Sequence, residues 1–125
     1  MASAGIESRV EPELRGFDCT DHHPIEKWRP TSDSVHFSLT LHIGVTGFDG
    51  ADLYRVAVFT TRGLAEAKQG AVNLRGSDPI ILEEYSWDGV LDEVRSRLAR
   101  CSGFGFGDVQ EKLRSEFDWE YEGMS

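Results

Sequence analysis

Positive charge is scarce in this sequence. Its 13 Lys and Arg stand against 22 Asp and Glu, for a net charge of −9. Nucleic-acid phosphates need a basic footprint, so direct nucleic-acid binding is disfavoured. An anionic membrane surface is disfavoured for the same reason. Cysteine is nearly absent: Cys19 and Cys101 lie far apart, with no CxxC spacing. That pattern fits two ordinary thiols in a reduced, cytoplasmic protein better than a disulfide or a thiolate metal site. No apolar run approaches the length of a membrane span or has the form of a signal peptide.

Reaction signatures are missing too. There is no G-x-S-x-G elbow, and no Cys–His motif has local support. "GFGFG" at 103–107 looks like a phosphate loop but has neither the lysine nor the hydroxyl of GxxxxGK[ST], and it follows a helical pattern rather than a strand. It reads as a helix–helix turn with Gly105 near the next N-cap. His36 and His42 share a strand face but sit about 20 Å apart at strand rise, too far to ligate one ion. His22 and His23 fall in a proline-containing loop. No metal and no cofactor is expected.

What is present is pattern. "VHFSLTLHI" places Val35, Phe37, Leu39, Leu41 and Ile43 on one face and His36, Ser38, Thr40 and His42 on the other. After a glycine-rich turn, "LYRVAVFTT" is rich in β-branched and aromatic residues, and the two segments read as a hairpin. "PELRGFDC" is a weaker strand, "RGLAEAKQG" makes two helical turns ended by Gly70, and "IILEEY" is a short strand. Ser86 can cap a helix carrying Trp87, Val90, Leu91, Val94 and Leu98 at helical spacing, with Arg95, Arg97 and Arg100 at the end that favours cations. A second helix would bury Phe106, Val109 and Leu113. The order predicts an α+β fold: an antiparallel sheet of about four to five strands with two C-terminal helices on one face. The 125 residues suit one domain, with 1–10 as a loose tail.

The chain closes on "FDWEYEG" at 117–123. Extended, it would put Phe117, Trp119 and Tyr121 on one face and Asp118, Glu120 and Glu122 in a row on the other. The aromatic face reads as core. The acids read as solvated or, taken as a set with Glu83 and Glu84, as a binding surface for a cationic partner. Eleven acids against five bases from Pro79 onward put the negative field in this last third. A carboxylate pair for catalysis would need an asymmetry that one strand row does not supply.

"PIILEEYSW", the helix ending at "RLARC", the turn into "FGDVQEKL" and the closing "FDWEYE" together resemble the immunity protein 8 family of bacterial polymorphic-toxin systems. The hairpin and the "TTRGL" step after it resemble the family's central strands and its T-P-x-x-L step. The likeness runs from about Glu11 to Glu122. Two departures stand out. Gly63 replaces a residue that is usually bulky, and "GFGD" opens the second long helix in place of a Ser/Thr cap with acids. The resemblance implies a cytosolic antidote that binds and blocks a cognate toxin domain, often a nuclease, without catalysis of its own. Such a toxin's active site is basic, so an acidic protein could fill it and meet it fast. A small enzyme with a Cys/His or carboxylate site hidden from the sequence stays open beside that reading.

Overall fold

The computed structural model describes residues 9–69 and 77–120. Among them run β1 (Pro12–Asp18), β2 (His36–Val45), β3 (Asp52–Thr60), α1 (Thr61–Gln69), β4 (Ile80–Leu82), α2 (Trp87–Ala99), α3 (Phe106–Glu116) and β5 (Asp118–Trp119). The expected element order and α+β class both hold. Of the anticipated loose tail, residues 1–8 lie outside the described residues, while Val10 pairs with Gly103 in an isolated antiparallel bridge. Gly70, the expected end of α1, also lies outside them.

The sheet order is β1-β2-β3-β4, with β5 also on β3. β1, β2 and β3 are antiparallel neighbours, as the alternating pattern requires. β4 is the exception and runs parallel to β3, pairing Ile80 with Val58 and Leu82 with Thr60. β5 is antiparallel to β3 lower down, pairing Tyr54 with Trp119. Two short strands therefore share one edge of β3, end to end.

One sheet face carries Phe37, Leu39, Leu41 and Ile43 from β2 and Tyr54, Val56 and Val58 from β3, all buried. Val90, Val94 and Leu98 of α2 and Val109 and Leu113 of α3 join them in one core cluster. Ser86 caps α2 as its sequence predicts, its hydroxyl accepting from Gly89 N at 3.0 Å. Trp87 and Leu91 are only half buried, and Trp87 packs on Phe17 with ring centroids 4.9 Å apart. Phe106 does not join the core. It sits at the first position of α3, and 38% of its surface is exposed.

The opposite sheet face stays largely open, with His36, Ser38 and Arg55 exposed along it. Phe59 is a buried aromatic on that face, its ring stacked on His36 at 4.3 Å. Thr60 closes the hairpin into α1. Its hydroxyl accepts from Val35 N at 3.0 Å and Gly63 N at 3.1 Å, and donates to the Asp33 carbonyl. Gly63 is glycine for a steric reason: a Cβ there would lie 2.1 Å from the Val35 carbonyl oxygen. The local step that usually carries a bulky residue is here pressed against the backbone.

Arg97 is the one fully enclosed cation among the described residues, with 5% of its side chain exposed. It bonds Glu93 at 3.0 Å, the carbonyls of Asp78 and Glu116 at 2.8 and 2.9 Å, and that of Pro79 at 3.1 Å. Its guanidinium also lies 5.7 Å from the Phe117 ring centroid. A residue placed by sequence at a helix end for its charge thus ties α2 to the segment before β4 and to the end of α3.

Candidate functional site

The closing segment divides as alternation predicts. Phe117 is buried, and Trp119 packs against the core with the Arg114 guanidinium 3.9 Å above its ring. Asp118 lies on the other face, opposite Arg55 in register. No ion pair joins those two. Asp118 instead accepts from Ser77 N at 2.7 Å, tying β5 to the segment before β4. Glu120 is half buried, and its backbone N–H donates to the Leu53 carbonyl at 2.9 Å. Tyr121 and Glu122 lie outside the described residues.

Glu83 and Glu84 are exposed just after β4, beyond the end of β3 where α1 begins. They are not near Asp118 and Glu120, which lie toward the start of β3. Around Glu83 and Glu84 the fold gathers acids that are distant in sequence. Glu26 and Asp88 line one shallow recess of about 310 Å³ with Arg29, Tyr85 and Trp87. Asp33 and Glu84 line an adjoining recess of about 240 Å³, with Pro30 and Tyr85 common to both. The aromatic floor is occupied by its own contacts. Trp28 stacks on His22 at 3.7 Å and meets Tyr85 edge-on at 5.2 Å. Burial pushes the Tyr85 hydroxyl up to about 12.

Charge pairing is partial. Arg15, Arg62, Arg97, Arg100 and Lys112 are each engaged with a carboxylate. Glu26, Asp33, Glu83, Glu84, Asp88, Asp49 and Glu120 form no ion pair among the described residues. Arg9, Lys27, Arg29, Arg55, Lys68, Arg95 and Arg114 also pair with no carboxylate among the described residues and are exposed. The acids therefore exceed the cations at the surface by number, and not for want of free cations.

Both thiols are free and buried. Burial pushes Cys101 up to about 11, with the Glu116 carboxylate adding to the shift. It donates to the Arg97 carbonyl at 3.2 Å. Such a group packs as a thiol at neutral pH, whereas a nucleophile needs an accessible thiolate. Among the described residues no three His, Cys, Asp or Glu side chains come together as metal ligands. No helix there is long and apolar enough to cross a membrane.

The chain matches one family model, Immunity protein 8, over residues 12–124. The chain belongs to that family. No curated protein and no solved structure matches it. Membership makes this an immunity protein by descent and points to a non-catalytic role. Its structure explains two of the sequence features that carried the likeness: Asp118–Trp119 of the closing segment is the strand that pairs with the start of β3, and "RLARC" supplies both the Arg97 clamp and the buried Cys101.

Sequence reasoning missed Glu26, Asp33 and Asp88. Nothing local marks them, because they meet Glu84 only when the loop before β2 folds against the start of α2. Arg97 carried a signal that was read for its charge alone. Its spacing from Val90 and Val94 places it on the buried stripe of α2.

Proposed function

We propose that this immunity protein acts in the cytoplasm of a bacterium that carries a polymorphic toxin, as a single domain that binds and neutralises the cognate toxin domain. The observation that carries this reading is the family match over residues 12–124. The charge asymmetry supports it. Unpaired acids at the surface attract a basic toxin, such as a nuclease that holds phosphate, and accelerate the encounter. The acidic surface comprises Glu83 and Glu84 with Glu26, Asp33 and Asp88 at one end of the sheet. At the other end it comprises Glu120, with Glu122 following in sequence, and Asp49. Asp118 supports this surface from inside, through Ser77. The buried, weakly acidic thiol of Cys101 favours this binding role over a hidden cysteine enzyme.

The test takes as toxin candidate the C-terminal domain of any large secreted protein found encoded beside this chain. Co-expression is expected to restore growth to cells producing that domain, and the two purified proteins are expected to co-elute as a stable complex. Growth arrest in the presence of the folded immunity protein, with no complex on the column, would sink the reading.

A further inference from the structure

Four large hydrophobic side chains are exposed among the described residues, and three of them sit at one end of the molecule. Phe48, Phe104 and Phe106 are 44%, 58% and 38% exposed. Phe48 stands in the β2–β3 turn between Gly47 and Gly50, both at positive φ (89° and 84°). Phe104 precedes Gly105, which holds φ +100°. Glycines in that conformation make turns that fold without help from an apolar side chain. Phe48 and Phe104 therefore gain little for the fold where they stand. The rings of Phe48 and Phe106 are in contact, 5.1 Å between centroids. Phe106 also lines a small recess of about 70 Å³ whose floor reaches Ile43, Tyr54 and Leu113 of the core. Isolated exposed apolar residues are ordinary, but a pair of touching exposed rings, one of them lining a recess, with Phe104 two residues before Phe106 in the chain, is how interface anchors are built.

The charge around this tip selects the partner. Two carboxylates, Asp49 and Asp52, line the recess, and no cationic residue does. Cations around it have contacts of their own, Arg114 over the Trp119 ring among them. Arg15 bonds Glu13 and the Val45 and Gly50 carbonyls. Lys112 bonds the Ser102 carbonyl at 2.7 Å and pairs with Asp108. The Arg9 guanidinium lies 5.1 Å over the Phe104 ring. Two such tips would repel one another, so a second copy of this chain is disfavoured. At the opposite end, the aromatics beside Glu84 pack on each other and on the core, and the one exposed large hydrophobic there among the described residues, Ile81, is a lone aliphatic side chain with no aromatic partner.

We infer that the aromatic tip formed by Phe48, Phe104 and Phe106 is the surface that grips the toxin. The toxin contributes an apolar side chain to the recess and arginines or lysines to its acidic rim. This rests on the toxin-binding reading above. The acids at the other end of the sheet then lie about 30 Å away, at the strand rise of the ten-residue β2, outside the contact.

The experiment measures the dissociation constant of the purified toxin domain for the wild type, Phe48→Ser and Phe48→Ser/Phe106→Ser. The double variant is expected to bind about thirtyfold more weakly or worse, as hot-spot truncations do. Phe48→Ser alone, at an exposed turn, is expected to weaken binding with an unchanged unfolding midpoint. It keeps the test decisive if Phe106→Ser disturbs the fold. Wild-type affinity in a folded Phe48→Ser protein and in a folded double variant overturns the assignment of this surface while the antidote reading stands. A wild type that does not bind the toxin domain overturns both. A wild type that dimerises in sedimentation, and that Phe48→Ser returns to monomer, assigns the tip to self-contact and also overturns the proposal.

Discussion

At the scale of single residues, one substitution at Arg97 removes several hydrogen bonds at once. Arg97→Met keeps the volume of the stem but removes the donors that serve the carbonyls of Asp78, Pro79 and Glu116. Glu93 is 40% exposed and can be resolvated, so the loss comes from the carbonyls left without a donor, about 1–3 kcal/mol. The urea midpoint should fall accordingly, and Arg97→Lys should rescue little, since one ammonium cannot reproduce the planar fork. Three other buried groups act through pH. Burial raises Cys101 from 9.0 to about 11, and Tyr54 and Tyr85 from 10.0 to about 12. Each binds its proton more tightly folded than unfolded. The stability they contribute is therefore fully present below about pH 9 and is lost as pH rises from there through 12. Urea midpoints measured at stepped pH should show this alkaline loss, and Cys101→Ala should flatten its portion between pH 9 and 11.

At the scale of elements, the start of α1 depends on a missing side chain. Gly63→Ala places a methyl against the Val35 carbonyl, a backbone atom that cannot swing aside. Overpacking of this kind costs about 1–3 kcal/mol, readable as a lowered thermal midpoint. The elements themselves were largely legible. β2 and β3 announce themselves by alternation, and α2 by Ser86 and its apolar stripe, because those signals are local and repeat along the chain. The parallel direction of β4 was not legible. Three residues carry no sign of orientation, which is decided by where α1 returns the chain. Phe106 was assigned to the core because it sits three residues before Val109. Spacing gives the face of a helix, but not that its first turn overhangs the sheet. Phe48 escaped notice because one aromatic in a glycine turn has no period at all. Of the acidic set, Glu83 and Glu84 stand exposed and unpaired. Asp118 reads from sequence as solvated or partner-facing, but the Ser77 amide, 41 residues away, holds it, and nothing local marks that bond.

At the scale of the whole molecule, the two acidic ends can be told apart by kinetics. Exposed charges act over about 8 Å at physiological salt, far less than the length of the sheet. Neutralising Asp49 and Glu120 together to Asn and Gln should slow association with the toxin domain and weaken its dependence on salt. Neutralising Glu83 and Glu84 should change both much less. Stopped-flow association rates at low and moderate salt make the comparison. Equal effects at the two ends would mean that the toxin is attracted to the molecule as a whole.

The Arg97 clamp also governs how the molecule breathes. Its hydrogen bonds reach the segment before β4 and the last turn of α3, so neither piece of the shared β3 edge can lift away without breaking contacts that hold the other. Asp118 and Ser77 join the same two pieces a second time. Segments coupled in this way open as one cooperative unit, and their backbone amides become accessible to solvent together. Deuterium exchange at 80–82 and at 117–119 should therefore share a common opening free energy, although the two stretches lie far apart in the chain. In Arg97→Met the two should separate, with the strand nearer the end of the chain exchanging first.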